Sequence, residues 1–322
     1  MRTLETLQTQ IRSIEDLHAV VRTMKALSMV HIRQYEQART SLNDYNHTLE
    51  LGLQALLCHR HFSETQTSLP LTAPPKHHGL VGVILFGSDH GLCGSFNEQI
   101  VTYALEQLQH RQIPRDRRLV AAVGARLIPY LETAHQPIQT TFSLPSSPAG
   151  SLQLIHNLLL TTEQWCFRQQ SDQVISTSSE MAEISHPYVE HILLFYNQHL
   201  STTTYQPVSL QLLPIDRSWL HHLEHRPWNS TAQPSLGMNW KPLFSRLIRQ
   251  YLLISLYRAT VESLASENAA RLAAMQAAEK NIEERLTDLN TGYRQQRQNA
   301  ITEELLDIVS GFEALKGSVS LF

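Results

Sequence analysis

Two long segments, one at each end of the chain, carry apolar residues at the spacing of a helix. In the C-terminal segment, from about Lys241 to Phe312, most steps between apolar positions are three, four or seven residues, at Leu264, Leu272, Met275, Ile282, Leu286, Leu289, Tyr293, Ile301, Leu305, Ile308 and Phe312. This spacing predicts one long helix with a narrow apolar stripe, as in a coiled coil. Such a helix, roughly 100 Å long, needs a partner for its stripe, because its own hydrogen bonds do not stabilise it.

The N-terminal segment, residues 3–58, has the same pattern. Its apolar positions are Leu4, Leu7, Ile11, Ile14, Val21, Met24, Leu27, Tyr35, Ala38, Leu42, Tyr45, Leu49 and Leu56, and no proline precedes Pro70. We expect the two segments to pair as an antiparallel coiled coil within one chain. Polar residues interrupt the stripe, and they either fix its register or face solvent where the helices diverge; they are His18, Lys25, His31 and Asn268.

Between the two helices the pattern is that of a small α/β domain. Nearly continuous apolar runs predict strands that are buried on both faces, and their alternation with helical segments predicts a Rossmann-like head with a mixed sheet. The predicted strands are Leu80–Phe86, Arg118–Val123, Ile138–Phe142, His191–Asn197 and Thr203–Leu213. The predicted helices are Glu98–His110, Ala125–Thr133 and Ser151–Ser171.

The fold class is therefore α/β with long helices. We divide the chain into an N-terminal coiled-coil helix, a proline-bearing linker, the α/β head, a connector of loop or short helix, and the C-terminal coiled-coil helix. In order, these are residues 1–58, 59–78, 79–213, 214–240 and 241–322.

Composition excludes several classes of function. The 322 residues are 42% hydrophobic and 17% charged, with a net charge of -3, which is typical of a globular protein and gives no reason to expect nucleic-acid binding. The longest apolar runs are far too short for a membrane span. The three cysteines, Cys58, Cys93 and Cys166, have no metal-binding spacing, and we expect them to be reduced.

The glycine-rich turn GSDHGLCGSFN, which follows the first predicted strand, raises two chemical hypotheses. It lacks both G-x-G-x-x-G and Gly-Lys-Ser/Thr, so a structural turn is favoured over a phosphate site. Cys93 is a candidate nucleophile that His90 would activate. No third orienting group is evident, which favours a cysteine that packs in the turn.

The histidine clusters have no accompanying cysteine or carboxylate ligands at a recognisable spacing, which favours exposed loop histidines over a metal site. They are His77-His78 and His221-His222 with His225. We therefore predict no catalytic residue, no cofactor, no metal and no direct binding of nucleotide.

Three regions together resemble the gamma subunits of F-type ATP synthases. They contain IRSIEDLHAVVRTMKALSMVHIRQYEQA near the N-terminus, GSDHGLCGSFN in the middle, and LASENAARLAAMQAAEKN and YRQQRQNAITEELLDIVSGFEAL near the C-terminus. The resemblance covers residues 1–58, 80–124 and 245–315. Two departures, His31–Gln34 in place of a lysine-rich segment and His90 in place of an arginine, favour a divergent member of the alternate, second-operon type.

The resemblance implies a central rotor shaft that couples ion-driven rotation to ATP synthesis or hydrolysis. The coiled coil would lie inside a hexamer of alpha and beta subunits, and the head would lie on the membrane ring of c subunits beside the epsilon subunit. The implied location is peripheral, on the cytoplasmic face of the bacterial inner membrane. Catalysis would reside in the beta subunits.

The resemblance also implies where the shaft meets a loop of the beta subunits. The predicted contact residues are Met24, Lys25, Arg297, Gln298, Thr302 and Glu304. We expect Met24 and Lys25 to lie opposite the C-terminal group. We also expect Ile301, Leu305, Ile308 and Phe312 to occupy the seam, which leaves the polar residues free to reach a partner.

Two other functions remain open at this point. One is a free-standing coiled-coil scaffold or adaptor with an α/β head, and the other is a Cys93-dependent α/β enzyme. Only the shaft requires a hexameric ATPase as a partner, so co-purification separates the three.

Overall fold

A computed structural model describes residues 3–58, 79–145, 150–167, 189–228 and 237–319, without the side chains of Glu190 and residues 311–319. The helices are α1 (Leu4–Cys58), α2 (Phe96–His110), α3 (Ile128–Thr133), α4 (Ser151–Phe167), α5 (Arg217–His225) and α6 (Trp240–Val319). The strands are β1 (Leu80–Phe86), β2 (Arg118–Val123), β3 (Thr140–Phe142), β4 (Val189–Ser201) and β5 (Thr204–Leu213). None of the described helices is long and apolar enough to cross a membrane.

The chain forms two compact units. Unit 1 comprises Met1–Leu27 and Leu272–Phe322, and unit 2 comprises Ser28–Arg271. Each long helix therefore contributes residues to both units. The predicted linker, residues 59–78, lies outside the described residues, and the predicted domain boundaries stay a prediction.

The two long helices are antiparallel within each unit. In unit 1, Lys25 pairs with Glu279, whereas the earlier residue His18 also approaches the later residue Glu283. In unit 2, Tyr45 contacts Gln250, and α1 residues Tyr35 and Leu42 pack with Val261, Leu264 and Ala265 of α6. As the residue number rises on α1, that of its partner on α6 falls, which confirms the predicted antiparallel coiled coil.

The predicted seam is wrong at the end of α6. Ile301, Leu305 and Ile308 are 48%, 57% and 68% exposed. The first turns of α1, which include Glu5 and Thr6, already line a groove with Arg285 and Leu289. In that register, no described residue of α1 lies opposite residues 301–309, so the apolar stripe of α6 continues without a partner in the described chain.

The sheet of unit 2 has the strand order β3-β2-β1-β4-β5. The first four strands are parallel, and β5 is antiparallel to β4, so the predicted mixed sheet is confirmed. Helices α2 and α3 pack on one face of the sheet, through Ile100 and Leu131 among others. On the other face lie α4, α5 and the unit 2 parts of α1 and α6.

Gly82 of β1 shows how closely one helix approaches this sheet. A Cβ atom at this position would lie 2.6 Å from the Trp165 ring of α4, closer than real contacts allow. The glycine therefore lets the tryptophan lie against the strand.

The predicted connector contains α5. The side chain of Asp216 caps this helix by accepting a hydrogen bond from the Ser218 backbone N–H at 2.8 Å. Leu220 and Leu223 are buried against the core, which leaves the histidines on the outer side of the helix.

The antiparallel pairing predicts that a short thiol-reactive crosslinker joins Tyr45→Cys to Gln250→Cys within one chain, because it replaces the length of two native side chains whose ends lie 3.4 Å apart. Peptide mass spectrometry of the treated full chain measures this. Tyr45→Cys with Arg258→Cys, two turns further along α6, is the matched control and should be mostly uncrosslinked. Crosslinks that form only between chains would contradict the pairing.

Candidate functional site

The turn GSDHGLCGSFN joins β1 to α2, and its polar groups bind each other and the neighbouring loops. Asp89 accepts the backbone N–H of Ala125 at 2.8 Å and that of Leu144 at 2.7 Å, so it joins the segments that follow β2 and β3. Asn97 accepts the Ser88 N–H at 2.9 Å and donates to the Ser88 hydroxyl at 2.8 Å. The turn is therefore held by its own hydrogen bonds, as the structural interpretation predicts.

Cys93 is a packing residue of this turn. Its side chain is buried and packs with Phe96 and with Ala270 of α6. Burial raises the pKa of the Cys93 thiol, which keeps it protonated at neutral pH. The sulfur contacts the backbone carbonyl of His90 at 3.8 Å, so the activation of Cys93 by the His90 ring finds no support.

The α6 segment Ala259–Ala270 is buried at every position, although it contains two glutamates. Glu262 accepts the backbone N–H of His199 in β4 at 3.2 Å, and its carboxylate lies 3.8 Å from the Arg39 guanidinium of α1. Ser266, one turn later, donates to the backbone carbonyl of Asn197 at 2.8 Å. These contacts hold α6 to the last parallel strand of the sheet.

Glu267 and Arg271 connect α6 to the turn. Arg271 Nη2 lies 2.6 Å from Glu267 Oε1 and donates to the carbonyl of Gly91 at 3.4 Å. Burial raises the pKa of Glu267, against the opposing effect of the neighbouring Arg271. Breaking a buried pair of this kind is strongly destabilising, because it leaves one charge without compensation. Rotation of α6 about its own axis would break this pair's contact with the turn, together with the contacts of Glu262 and Ser266.

A second polar cluster lies in unit 1. Lys25 Nζ is 2.6 Å from Glu279 Oε2, and Arg22 Nε is 3.7 Å from Glu279 Oε1. His18 Nε2 lies 4.0 Å from Glu279 and 3.7 Å from Glu283. The ligand atoms of His18, Glu279 and Glu283 lie close enough together to hold a metal ion. However, Lys25 and Arg22 lie beside the Glu279 carboxylate, and their positive charges oppose the binding of a cation there.

The structure separates the predicted partner-contact residues into two groups. Arg297, Gln298, Thr302 and Glu304 are exposed near the end of α6, and the Thr302 hydroxyl donates to the Gln298 carbonyl at 2.9 Å. Met24 and Lys25 are partly buried on α1. The expectation that these two lie opposite the α6 group is wrong, because Lys25 faces Glu279, which precedes Arg297 by roughly 27 Å of helix.

Sequence reasoning missed the buried acidic residues Glu262 and Glu267 and the hub Glu279. A narrow apolar stripe predicts that the opposite face of the helix is exposed to solvent. Glutamates are common on such a face, so their presence gives no indication that they are buried. The available signal was the density of small residues from Ala259 to Ala270, which permits close approach on several sides of a helix.

The double role of Asp89 predicts that Asp89→Asn destabilises the chain. An amide offers one acceptor oxygen, so either the Ala125 N–H or the Leu144 N–H loses its partner. Because the first of these bonds is exposed and the second is only partly buried, we expect a cost of about 0.5–1.5 kcal/mol. Urea unfolding of the full chain measures the difference. Asp116→Asn, at an exposed acidic residue, is the control and should change the free energy of unfolding by less than about 0.5 kcal/mol. Equal effects of the two substitutions would contradict the role of Asp89.

The chain matches known proteins over almost its whole length. A family model described as ATP synthase matches residues 3–315. The ATP synthase gamma chain of Anaeromyxobacter dehalogenans (strain 2CP-C) is 28% identical over 320 residues, covering 98% of this chain and 100% of the relative. That of Nautilia profundicola is 24% identical over 322 residues, with the same coverage.

Solved structures show the same fold at lower identity. A chain in the OSCP/F1/c-ring assembly of the Euglena gracilis mitochondrial ATP synthase superposes with a TM-score of 0.61, at 17% identity, covering 97% of this chain and 94% of that one. A chain from the central stalk and c-ring of the Tetrahymena thermophila mitochondrial enzyme gives a TM-score of 0.50, at 18% identity, covering 80% and 99%. The chain therefore belongs to the ATP synthase family of gamma chains, the non-catalytic central-stalk subunits of F-type ATP synthases.

Proposed function

We propose that this chain works as a central shaft in the following way. The paired helices α1 and α6 turn inside a ring of three alpha and three beta subunits, and the α/β domain lies with the epsilon subunit on the membrane ring of c subunits. Rotation driven by ion flow then drives ATP synthesis, or hydrolysis drives the reverse rotation. The chain is thereby peripheral to the membrane, on the cytoplasmic face of a bacterial inner membrane.

The exposed apolar end of α6 is the observation that carries this proposal. Five large apolar side chains between residues 301 and 309 are 48% to 68% exposed, namely Ile301, Leu305, Leu306, Ile308 and Val309. A contiguous exposed apolar surface marks an interaction site. The similar chain in the OSCP/F1/c-ring assembly of the Euglena gracilis enzyme favours the F1 subunits, alpha and beta, as the partner.

Helix α1 offers a further apolar surface of the same kind in unit 1. Leu17, Val20 and Leu27 are each more than half exposed, at steps of three and seven residues. They lie on a different face from Lys25, which turns to α6. Apolar residues on outward faces of both helices suit a shaft that is surrounded by other subunits.

The polar residues of α6 and α1 supply the directional contacts in this proposal. Arg297, Gln298, Thr302 and Glu304 lie on the exposed part of α6, where the guanidinium of Arg297 can hold a carboxylate with two hydrogen bonds. Met24 and Lys25 act further along the shaft. An ammonium group has three N–H donors, so Lys25 can donate to a partner while it stays bound to Glu279.

Torque must also pass between α6 and the α/β domain. We assign this to the contacts of Glu262 with β4 and of Arg271 with the turn at Gly91, because both resist rotation of α6 within unit 2. The outer side of α5, with His221, His222 and His225, is our candidate surface for the c-ring or epsilon.

Assembly with the alpha and beta subunits tests the proposal. Leu305→Ser with Ile308→Ser should reduce the yield of the assembled ATPase about tenfold or more, since burying this surface drives association. The folded chain itself should keep its free energy of unfolding, because both side chains are exposed within it. Leu152→Ser, at a residue of α4 that is 60% exposed, is the matched control. Equal yields for all variants would contradict the proposed partner.

Arg297→Ala and Gln298→Ala test the polar contact separately. A solvated arginine contributes almost nothing to any free energy, whereas truncation of a desolvated arginine at a partner interface costs about 2–5 kcal/mol. We expect weaker assembly, or hydrolysis that is poorly coupled to ion transport, with unchanged helicity of the chain. Arg294→Ala, at an exposed arginine one turn earlier, is the control. Normal assembly, turnover and coupling in both variants would exclude the contact.

A further inference from the structure

Helix α5 carries three exposed histidines, and two of them form a pair. The sequence favours exposed loop histidines here, whereas the structure places them on a helix. His221 and His225 are four residues apart and therefore neighbours on one face. Their rings stack with centroids 4.1 Å apart and planes 19° from parallel. His222 lies about 100° from His221 around the helix axis, so it is outside this pair.

One hydrogen bond fixes the form of the His225 ring. Its Nδ1 atom lies 2.9 Å from the backbone carbonyl oxygen of His221. A carbonyl only accepts, so Nδ1 carries a proton, and the lone pair of the neutral ring is then on Nε2. Metal-binding histidines have this arrangement, in which one ring nitrogen donates to a carbonyl or carboxylate and the other binds the ion.

The separation of the two rings suits chelation of one ion. Two imidazole nitrogens that each lie about 2.0–2.1 Å from a tetrahedral zinc ion are roughly 3.4 Å apart. The stacked rings of His221 and His225 have centroids 4.1 Å apart, so a small rotation of either side chain gives this distance. Both side chains are exposed, which leaves room for the rotation and for an ion from solvent.

The backbone that carries the pair is held at both ends of α5. Asp216 caps the first turn, and Gln54 of α1 donates to the backbone carbonyl of Arg226 at 2.6 Å. Ligands on a fixed helix are positioned before the ion binds. The charge of the neighbouring Arg226 is directed to Glu50 of α1, at 3.9 Å. This differs from unit 1, where basic side chains lie directly beside the Glu279 carboxylate.

We propose that His221 and His225 bind a divalent transition-metal ion of the nickel, copper or zinc class, with water in the remaining positions. Imidazole nitrogens suit these ions, whereas Mg²⁺ and Ca²⁺ prefer oxygen ligands. Both protein ligands belong to one helix of this chain. The site is therefore complete without another subunit, and it goes beyond the proposed function as a shaft.

Modification of the full chain with diethyl pyrocarbonate, mapped by peptide mass spectrometry, measures each histidine separately. This reagent attacks the free lone pair of an imidazole, which a bound metal ion occupies. Ni²⁺ at about ten times its Kd should therefore slow the modification of His221 and His225 about tenfold. Modification of His222 in the same experiment should be unchanged. Mg²⁺ should protect none of the three.

Substitution of one histidine tests whether the two act together. His225→Asn should remove the protection of His221, and His221→Asn that of His225, because a single imidazole binds the ion about tenfold or more weakly than a chelating pair. His222→Asn is the matched control on the same helix and should leave both protected. Circular dichroism should show the same helicity in all variants, since the three side chains are exposed.

Three results would overturn the proposal: no protection by Ni²⁺, equal protection of His222, or protection of His221 that persists in His225→Asn. The experiment needs no other subunit. Its failure is therefore distinguishable from failure of the assembly measurements that test the proposed function.

Discussion

The burial of α6 on every side between Ala259 and Ala270 is the constraint on which unit 2 depends. A helix in that position must satisfy its polar side chains within the protein, since an unpaired buried charge is costly. The chain does so with groups from three different elements. Glu262 pairs with Arg39 of α1 and accepts a hydrogen bond from the backbone of β4. Glu267 pairs with Arg271 of α6 itself, which also donates to the turn after β1. The polar contacts thereby fix the angle of α6 as well as its position.

The small side chains of this segment make that arrangement possible. Ala265 packs against Tyr35 and Leu42 of α1, while Ala270 packs against Cys93 and Phe96 of the turn. Larger residues at these positions would hold the neighbouring elements apart and lengthen the hydrogen bonds to Asn197 and Gly91. The turn sequence GSDHGLCGSFN is thus explained by packing and hydrogen bonding, and its cysteine needs no chemical role.

The elements of this fold follow from hydrophobic periodicity, whereas their polar contacts do not. The continuous apolar run of β1 and the stripe of α1 identify both elements to within a residue or two. The apolar stripe of α6 does not show where α1 stops covering it. Sequence periodicity therefore predicts Ile301, Leu305 and Ile308 in the seam, although α1 does not extend far enough to cover them and they are exposed. It also does not show which charged residues face the seam, because periodicity treats Glu279 and Glu284 alike.

Glu267 in unit 2 and Glu279 in unit 1 both pair with basic side chains, but they are buried to different extents. Glu267 is almost completely buried, so desolvation opposes its ionisation. The main contribution of its pair with Arg271 is therefore to fix the geometry of the contact rather than to add stability. Glu279 is less buried, where the hydrogen bond from Lys25 outweighs desolvation and the carboxylate ionises readily. Unit 2 therefore resists rotation of α6 through buried polar contacts. Unit 1 relies on the less buried ionic contact between Lys25 and Glu279. Its exposed apolar residues leave more surface available for contact with other subunits. A shaft that transmits torque requires both properties, a fixed angle where it is held and available surface where it meets its partners.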